Sequence, residues 1–179
     1  GPRNLYHGPG FHALCRKLRG RAAPPPGLSP QTTPTTPPGL RKALANVPAQ
    51  LPIDAHRSEI LDTIARNRVT IICGETGCGK SSRLPLMLLE NDAKAKMFVS
   101  QPRRIAARAL CDRVRQSLGD EVGLRLGFGE RDESRKTRLW FCSTGYLVRL
   151  VAAHPQALKT HTHIIVDEVH ERSVDTEIL

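Results

Sequence analysis

Residues 74–81 read Gly74-Glu75-Thr76-Gly77-Cys78-Gly79-Lys80-Ser81, and this stretch decides the fold of the chain. Its glycines can adopt backbone angles that turn successive N–H groups toward a phosphate, whereas side chains at those positions would block the approach. Lys80 supplies a fixed positive charge for the β- and γ-phosphates, and the Ser81 hydroxyl is the expected ligand of Mg²⁺. The whole stretch is therefore predicted to bind a nucleoside triphosphate.

The segments on either side of this loop have the pattern that a phosphate-binding loop requires. Val69-Thr70-Ile71-Ile72-Cys73 is rich in β-branched side chains and predicts a buried parallel strand. Residues 81–90 carry closely spaced apolar side chains, among them Leu84 and Leu88, and predict a helix. The order strand, loop, helix separates a genuine nucleotide site from a chance match to the loop pattern.

Paired carboxylates follow a second apolar run. His163-Ile164-Ile165-Val166 predicts another buried strand, which delivers Asp167 and Glu168 to its C-terminal end, where open α/β sheets bind ligands. An acidic pair at such a place is often only a solvating pair, but a phosphate-binding loop upstream favours catalysis. We expect Asp167 to hold Mg²⁺, and Glu168 to activate the water that attacks the γ-phosphate. Both acids and Ser81 are thus the candidate metal ligands.

Strands and helices alternate through the rest of the chain. Strands are predicted at residues 96–100, 122–128 and 139–143, helices at 104–118 and 145–153, and a charged turn at 131–136. This alternation predicts an α/β fold with a mostly parallel sheet. Each polar motif then lies at the C-terminal end of a strand, so residues distant in sequence meet in one crevice.

Four blocks of sequence resemble, in order, motifs I, Ia, Ib and II of the DEAH-box (DEAH/RHA) superfamily 2 RNA helicases. They are residues 74–81, Gln101-Pro102-Arg103-Arg104-Ile105-Ala106-Ala107, Ser143-Thr144-Gly145-Tyr146-Leu147 and Asp167-Glu168-Val169-His170-Glu171-Arg172. The Gln-Pro-Arg-Arg block discriminates, because RecQ-like and Ski-like helicases that share a DExH box carry other sequences there. The resemblance covers about residues 50–179 and implies a RecA-like P-loop NTPase domain.

The resemblance also implies the residues of the nucleotide site. Residues 74–81 would bind ATP with Mg²⁺, and Arg113 matches the family arginine that stacks on the adenine; a solvated helix charge is the alternative for Arg113. His170 is implied to couple the nucleotide site to the partner domain. The implied catalytic set is Lys80, Asp167, Glu168 and His170.

Nucleic-acid contacts are implied in the same way. Arg103 and Arg104 fall where motif Ia meets the nucleic-acid backbone, and Thr144 falls where motif Ib contacts a phosphate. Guanidinium and hydroxyl groups at strand ends suit sequence-independent binding. The implied partner is single-stranded RNA, although no residue here distinguishes RNA from DNA.

Part of the implied fold is expected to be absent. In the fold that this chain resembles, the strand of motif III inserts between the P-loop strand and the strand ending at Asp167, and the sequence stops at Leu179, before that strand. We therefore predict a sheet with a central gap, or these two strands out of hydrogen-bonding contact, and in either case no direct pairing between residues 69–73 and 163–167. A second RecA-like domain of the same protein is the expected partner across the cleft, and the chain alone is expected to be inactive.

Residues 1–49 differ in composition from the rest of the chain. Residues 1–50 hold seven Lys or Arg and no acid, out of a net charge of +10, and ten of the 14 prolines lie before residue 49. Such a segment cannot bury enough apolar surface to fold, so we predict a disordered tail at 1–49 and the first RecA-like domain at 50–179. The basic run at 16–21 fits a solvated linker, an RNA-phosphate patch or part of an organelle transit peptide.

Composition restricts the remaining classes of function. The chain contains five cysteines and no Cys-x-x-Cys pair, which favours a reducing compartment and argues against a zinc site. No apolar run is long enough to span a membrane. We expect a cytoplasmic or nuclear protein, or an organellar one if the tail is a transit peptide.

The leading interpretation is an ATP-dependent RNA helicase. A nucleotide-gated RNA-binding scaffold without turnover is the alternative, disfavoured because Lys80, Ser81, Asp167 and Glu168 are all present. A P-loop kinase or GTPase is a third possibility, weakened by the absence of a guanine-reading motif.

Overall fold

A computed structural model describes residues 51–171 and 175 and the backbone of residues 11–14. The rest of the predicted 1–49 tail, including the basic run at 16–21, lies outside the described residues. The division into a tail and a domain therefore stays a prediction.

Strands and helices alternate along the described residues, as the periodicity predicts. The strands are β1 (Phe11–Leu14), β2 (Ile71–Gly74), β3 (Met97–Gln101), β4 (Val122–Arg125), β5 (Arg131–Asp132), β6 (Leu139–Ser143) and β7 (His163–Val166). The helices are α1 (Arg57–Arg66), α2 (Lys80–Asn91), α3 (Arg104–Leu118) and α4 (Thr144–Ala153), with 3₁₀ turns at Pro52–His56, Gly119–Glu121 and Pro155–Thr160. Two predictions were wrong in detail: the strand predicted at 122–128 ends at Arg125, and the charged turn at 131–136 begins with β5.

Five strands form a mostly parallel sheet in the order β5-β4-β6-β3-β7. β3 pairs in parallel with both β6 and β7, β4 pairs in parallel with β6, and only the short β5 runs antiparallel to β4. The predicted α/β fold with a mostly parallel sheet is confirmed.

The P-loop strand β2 lies outside this sheet. It pairs antiparallel with β1, from Phe11 opposite Gly74 to Leu14 opposite Ile71. No ladder joins β2 to β7 within the described residues, so the predicted lack of pairing between these strands is confirmed. The prediction of a buried parallel strand at 69–73 is wrong, because β2 pairs in the described part of the chain only with the antiparallel β1, and the side chains of Val69 and Ile71 stay exposed to water. Four residues of the predicted disordered tail thus form a strand.

One large core covers one face of the five-stranded sheet. Successive strand residues point to opposite faces, so Met97 and Val99 of β3 face this core together with Leu139 and Phe141 of β6. Helices α1, α2 and α3 supply its other wall, through the side chains Ile60, Leu84, Leu88, Leu89, Ala107, Cys111, Val114 and Leu118. This packing fixes the start of α2 and the start of α3, where the polar motifs lie.

A smaller aromatic cluster covers the opposite face. The His161 ring stacks on Phe98 with 4.5 Å between ring centroids and meets the edge of Trp140 at 5.1 Å. The Arg125 guanidinium lies 5.6 Å from the Phe98 centroid and 5.3 Å from that of Trp140. Burial lowers the pKa of His161, and the charges of Arg125 and Lys96 act in the same direction, while a hydrogen bond to the Ala157 carbonyl opposes them.

This cluster predicts a loss of stability on acidification. The pKa of His161 is depressed from its ordinary 6.5 in the folded state, so the unfolded chain takes up a proton at a higher pH than the folded one. The stability that neutral His161 contributes is fully present above the pKa that this residue has in the unfolded chain. It is lost as the pH falls toward the lower pKa of the folded state. Burial lowers the pKa of His163 as well, and that residue adds to the effect.

The test is the urea midpoint of unfolding measured between about pH 8 and about pH 5. His161→Gln should have a flatter pH dependence than the wild type, whereas His154→Gln, which replaces an exposed histidine, should keep the wild-type slope. Parallel pH profiles for all three proteins would contradict the prediction.

Candidate functional site

The phosphate-binding loop connects β2 to α2. Gly77 and Gly79 have φ angles of +84° and +104°, in the left-handed region that residues with side chains disfavour. A Cβ on Gly79 would also lie only 2.8 Å from the Leu51 side chain. Helix α2 begins at Lys80 without a side-chain cap, so its first N–H groups are oriented toward the loop and suit an anion.

Lys80 holds its ammonium group inside this loop. Its Nζ donates hydrogen bonds to the carbonyl oxygens of Gly74 at 2.6 Å and Glu75 at 2.9 Å and lies 3.6 Å from the Cys78 Sγ. The Cys78 carbonyl in turn accepts a bond from the Ile53 N–H at 3.2 Å, which anchors the loop to the preceding 3₁₀ turn. Phosphate oxygens can replace the two carbonyls as acceptors, so the loop fits the triphosphate of a nucleotide.

The other positions of the loop differ in exposure. The side chains of Glu75 and Thr76 face solvent, whereas Cys78 is buried and Ser81 is partly buried in the first turn of α2. A hydroxyl in the first helical turn lies beside the lysine that binds the phosphates, which is where Mg²⁺ meets a P-loop. The Ser81 side chain therefore fits the role of metal ligand.

Gln101 connects motif Ia to the carboxylate box, a role that the motif resemblance did not predict for it. Its side chain is only 2% exposed, and its Nε2 donates a hydrogen bond of 2.5 Å to Asp167 Oδ2. The Glu168 N–H donates to the other oxygen, Oδ1, at 3.0 Å. The Asp167 carboxylate is thus held at both oxygens. The one signal in the sequence is a polar residue that directly follows the apolar run at 97–99 and Ser100; the pairing of β3 with β7 becomes evident only in the structure.

Glu168 follows Asp167 in a strained backbone conformation. Its φ of +52° is unusual for a residue with a side chain, and the following turn is closed by the Glu171 N–H, which donates to the Glu168 carbonyl at 2.8 Å. The His170 Nε2 lies 3.3 Å from Glu168 Oε2. The structure therefore brings His170 and Glu168 together at an exposed position, and strain of this kind is common at functional sites.

Both arginines of motif Ia are paired with acids. Arg103 Nη2 lies 3.1 Å from Glu171 Oε1, at the end of the carboxylate box. Arg104 Nη2 lies 2.9 Å from Glu130 Oε2, in the loop between β4 and β5. The guanidinium groups are exposed, so a nucleic-acid backbone can reach both.

Motifs Ia, Ib and II meet at one edge of the sheet. Gln101 at the end of β3 lies opposite Ser143 at the end of β6, and the Asp167 N–H donates to the Ser100 carbonyl at 3.1 Å. This convergence is the one that the predicted strand ends require.

Two predicted site residues are less well placed. Thr144 begins α4 at this edge, but it is only 3% exposed, so a phosphate would meet its side chain only after a local rearrangement. Arg113 lies exposed on α3, on the side away from the core. Its stacking on adenine stays a prediction.

Metal binding by protein ligands alone is not indicated. Among residues 11–14, 51–171 and 175, no group of three or more His, Cys, Asp or Glu side chains could hold a metal ion. Magnesium in nucleotide sites keeps several waters and phosphate oxygens as ligands, so it needs few protein ligands. Ser81, Asp167 and Glu168 are compatible with that role, and their coordination of Mg²⁺ stays a prediction.

Comparison with known proteins identifies the family. The model of the family "DEAD/DEAH box helicase" matches residues 54–177. The chain belongs to the DEAD/DEAH box helicase family. The resemblance to DEAH-box helicases that the motifs indicate is therefore confirmed, and with it the RecA-like fold.

Curated relatives and a solved structure agree with this assignment. The chain is 42% identical over 140 residues to ATP-dependent RNA helicase DHX30 of Homo sapiens, covering 73% of this chain and 12% of that protein. It is 36% identical over 147 residues to DExH-box ATP-dependent RNA helicase DExH1 of Arabidopsis thaliana, covering 77% of this chain and 15% of that protein. The crystal structure of the Escherichia coli DEAH/RHA helicase HrpB matches with a TM-score of 0.62 and 32% identity, over 70% of this chain and 16% of that one.

This chain thus corresponds to a small share of the length of these helicases. None of the helices in the described part of the chain is both long and apolar enough to cross a bilayer.

Loss of the hydrogen bond from Gln101 to Asp167 is expected to raise the Mg²⁺ concentration that nucleotide binding requires. Gln101→Ala removes the group that orients Asp167, and the loss of an outer-shell partner weakens metal binding by about tenfold or more. The full-length variant should therefore need about tenfold more Mg²⁺ for half-maximal binding of a fluorescent ATP analogue. Gln116→Ala, which replaces an exposed glutamine of α3, is the matched control. An unchanged Mg²⁺ requirement in Gln101→Ala would refute this role.

Proposed function

We propose that this chain is the nucleotide-binding part of an ATP-dependent RNA helicase, comprising residues 50–179. The observation that carries the proposal is the joining of two motifs at one sheet edge. Gln101 bonds Asp167, and Arg103 pairs with Glu171, so the segment whose arginines suit an RNA backbone contacts the segment whose acids suit ATP hydrolysis. The printed names of the relatives, which are ATP-dependent RNA helicases, support the same conclusion.

ATP would be held by the P-loop. Backbone N–H groups of residues 74–81 surround the phosphates, and Lys80 moves its donors from the loop carbonyls to the β- and γ-phosphates. Arg113 would stack on the adenine. Mg²⁺ bound with the nucleotide would neutralise developing charge on the phosphates, and Ser81 and Asp167 are the residues that would hold it.

Hydrolysis would depend on Glu168. Its carboxylate accepts a proton from the attacking water, and a general base of this kind contributes about 10² to 10⁴ in rate. His170 lies against this carboxylate and would fix its orientation. The exposed position of both residues suits closure by a second RecA-like domain, which would exclude water and complete the cleft.

RNA would bind at the same edge through its backbone. Arg103 and Arg104 supply the cations, and Thr144 would contribute at the start of α4. A phosphate that takes Arg103 releases Glu171, which lies three residues beyond Glu168. RNA and ATP would then both act on the turn that holds Glu168 and Glu171. Such coupling is reciprocal, so each ligand would change the affinity for the other. Arg103, Arg104 and Thr144 would contact the backbone and not the bases, so we expect single-stranded DNA to compete with RNA.

The ATPase activity of the full-length protein tests the proposal, measured with and without single-stranded RNA. Lys80→Ala should abolish nucleotide binding, and Glu168→Gln should bind ATP but lower turnover by about 10² or more. Lys94→Ala, which replaces an exposed lysine after α2, is the control and should match the wild type. Equal turnover in all four proteins would end the helicase interpretation. Tight RNA binding in the wild type with no RNA-stimulated turnover would support the scaffold instead.

A further inference from the structure

We propose that Arg104 and Arg108 together form one binding site for a phosphate of the RNA backbone, and that the Glu130 carboxylate occupies this site until RNA displaces it. The inference rests on the proposed function, since it assumes that motif Ia binds RNA. It adds two residues, Arg108 as a phosphate ligand and Glu130 as an internal competitor.

The geometry of three side chains carries the inference. Arg104 and Arg108 are one turn apart in the first turns of α3 and therefore share a face. Arg104 Nη2 lies 2.9 Å from Glu130 Oε2, and Arg108 Nη2 pairs with the other carboxylate oxygen, Oε1. Each oxygen of one anion is thus held by a different guanidinium. Two non-bridging phosphate oxygens would be held in the same manner.

The position of the pair on α3 also suits an anion. Arg104 is the first residue of the helix, and Arg103 at the N-cap position makes no side-chain cap. The free N–H groups of the first turn add a partial positive charge to that of the two guanidiniums. One carboxylate therefore balances two cations and a helix start, and the site retains an excess of positive charge.

The loop after β4 places the carboxylate. The Leu126 N–H donates to the Glu130 carbonyl at 2.9 Å, which closes the turn, and Phe128 at its tip has a φ of +64° and is 97% exposed. The Arg104 Cζ lies 5.6 Å from the centroid of the Phe128 ring, a distance at which a cation and an aromatic ring attract each other. The loop that carries Glu130 therefore makes a second contact with Arg104.

The pairing is weak enough to be exchanged. All three charged groups are partly exposed to water, and exposed ion pairs contribute little to stability. A phosphate in a polyanion has an advantage over an isolated carboxylate, because its binding releases condensed counterions. RNA can therefore displace Glu130, whereas a lone small anion has no such advantage.

RNA affinity of the full-length protein, measured with a fluorescent single-stranded oligouridylate over a range of salt concentrations, tests the inference. Glu130→Gln removes the competing charge and should tighten RNA binding by about fivefold at low salt. This factor corresponds to the upper end of the interaction strengths measured for exposed ion pairs. Arg108→Ala should weaken binding and reduce the slope of log K against log salt by about 0.7, the value for one phosphate of a single strand.

Matched variants separate the site from general charge effects. Asp132→Asn removes one negative charge two residues from Glu130, from an acid that pairs with Arg115 instead. Arg66→Ala removes an exposed arginine of α1 that pairs with Asp62. Both should leave RNA affinity near that of the wild type. Equal tightening by Glu130→Gln and Asp132→Asn would overturn the inference, as would an unchanged salt slope in Arg108→Ala.

Arg104→Ala shows whether a negative result refutes only the shared site of Arg104 and Arg108 or also the proposed function. If Arg104→Ala weakens RNA binding while the Glu130 and Arg108 variants behave as the wild type, motif Ia binds RNA and only the shared site is refuted. If Arg104→Ala also leaves binding unchanged, the RNA surface assigned under the proposed function is wrong.

Discussion

The parallel pairing of β3 with β6 on one side and β7 on the other is the constraint on which the rest of the structure depends. It brings the C-terminal ends of three strands to one edge, and there the buried side chain of Gln101 reaches Asp167 at the end of the neighbouring strand β7. Because Gln101 is buried, leaving its amide unpaired would be costly. The hydrogen bond therefore orients the carboxylate and links the segment that holds the arginines to the segment that holds the acids.

The P-loop is tied to this edge in a different way. Its strand β2 shares no ladder with the five-stranded sheet in the described residues, so the loop depends on packing rather than on backbone hydrogen bonds to β3 or β7. Helix α2 contributes buried side chains to the main core. The Ile53 N–H, from the 3₁₀ turn before the loop, donates a hydrogen bond to the Cys78 carbonyl. Motif I thus has its own local anchors, whereas motifs Ia, Ib and II share one sheet.

The sequence predicted most of this architecture, and the exceptions have physical reasons. β6 and α3 match their predicted bounds, because buried runs and the Gly119 turn leave strong local signals. β5 was missed, since two charged residues, Arg131 and Asp132, have no apolar periodicity. The pairing of β2 with β1 and the role of Gln101 depend on partners far away in sequence. The same is true of Glu130, whose partners Arg104 and Arg108 become evident only when the loop folds back on α3.

Pairing between arginines and acids determines how the proposed RNA surface at this edge would work. Beyond residue 50 the chain carries 20 basic and 17 acidic residues, so this part of the chain contributes only a weak long-range field to attract RNA. At the edge itself, Arg103 and Arg104 are each paired with a glutamate, which reduces that field further. A phosphate must then compete at short range with carboxylates that are already in position.

Since Glu171 belongs to the turn that holds Glu168, exchange at Arg103 changes the charge next to the proposed catalytic base. Exchange at Arg104 and Arg108 changes only the loop that carries Glu130. The two arginines of motif Ia would therefore have different effects. Phosphate binding at Arg103 would affect the proposed nucleotide site, and phosphate binding at Arg104 would affect the strength of RNA binding.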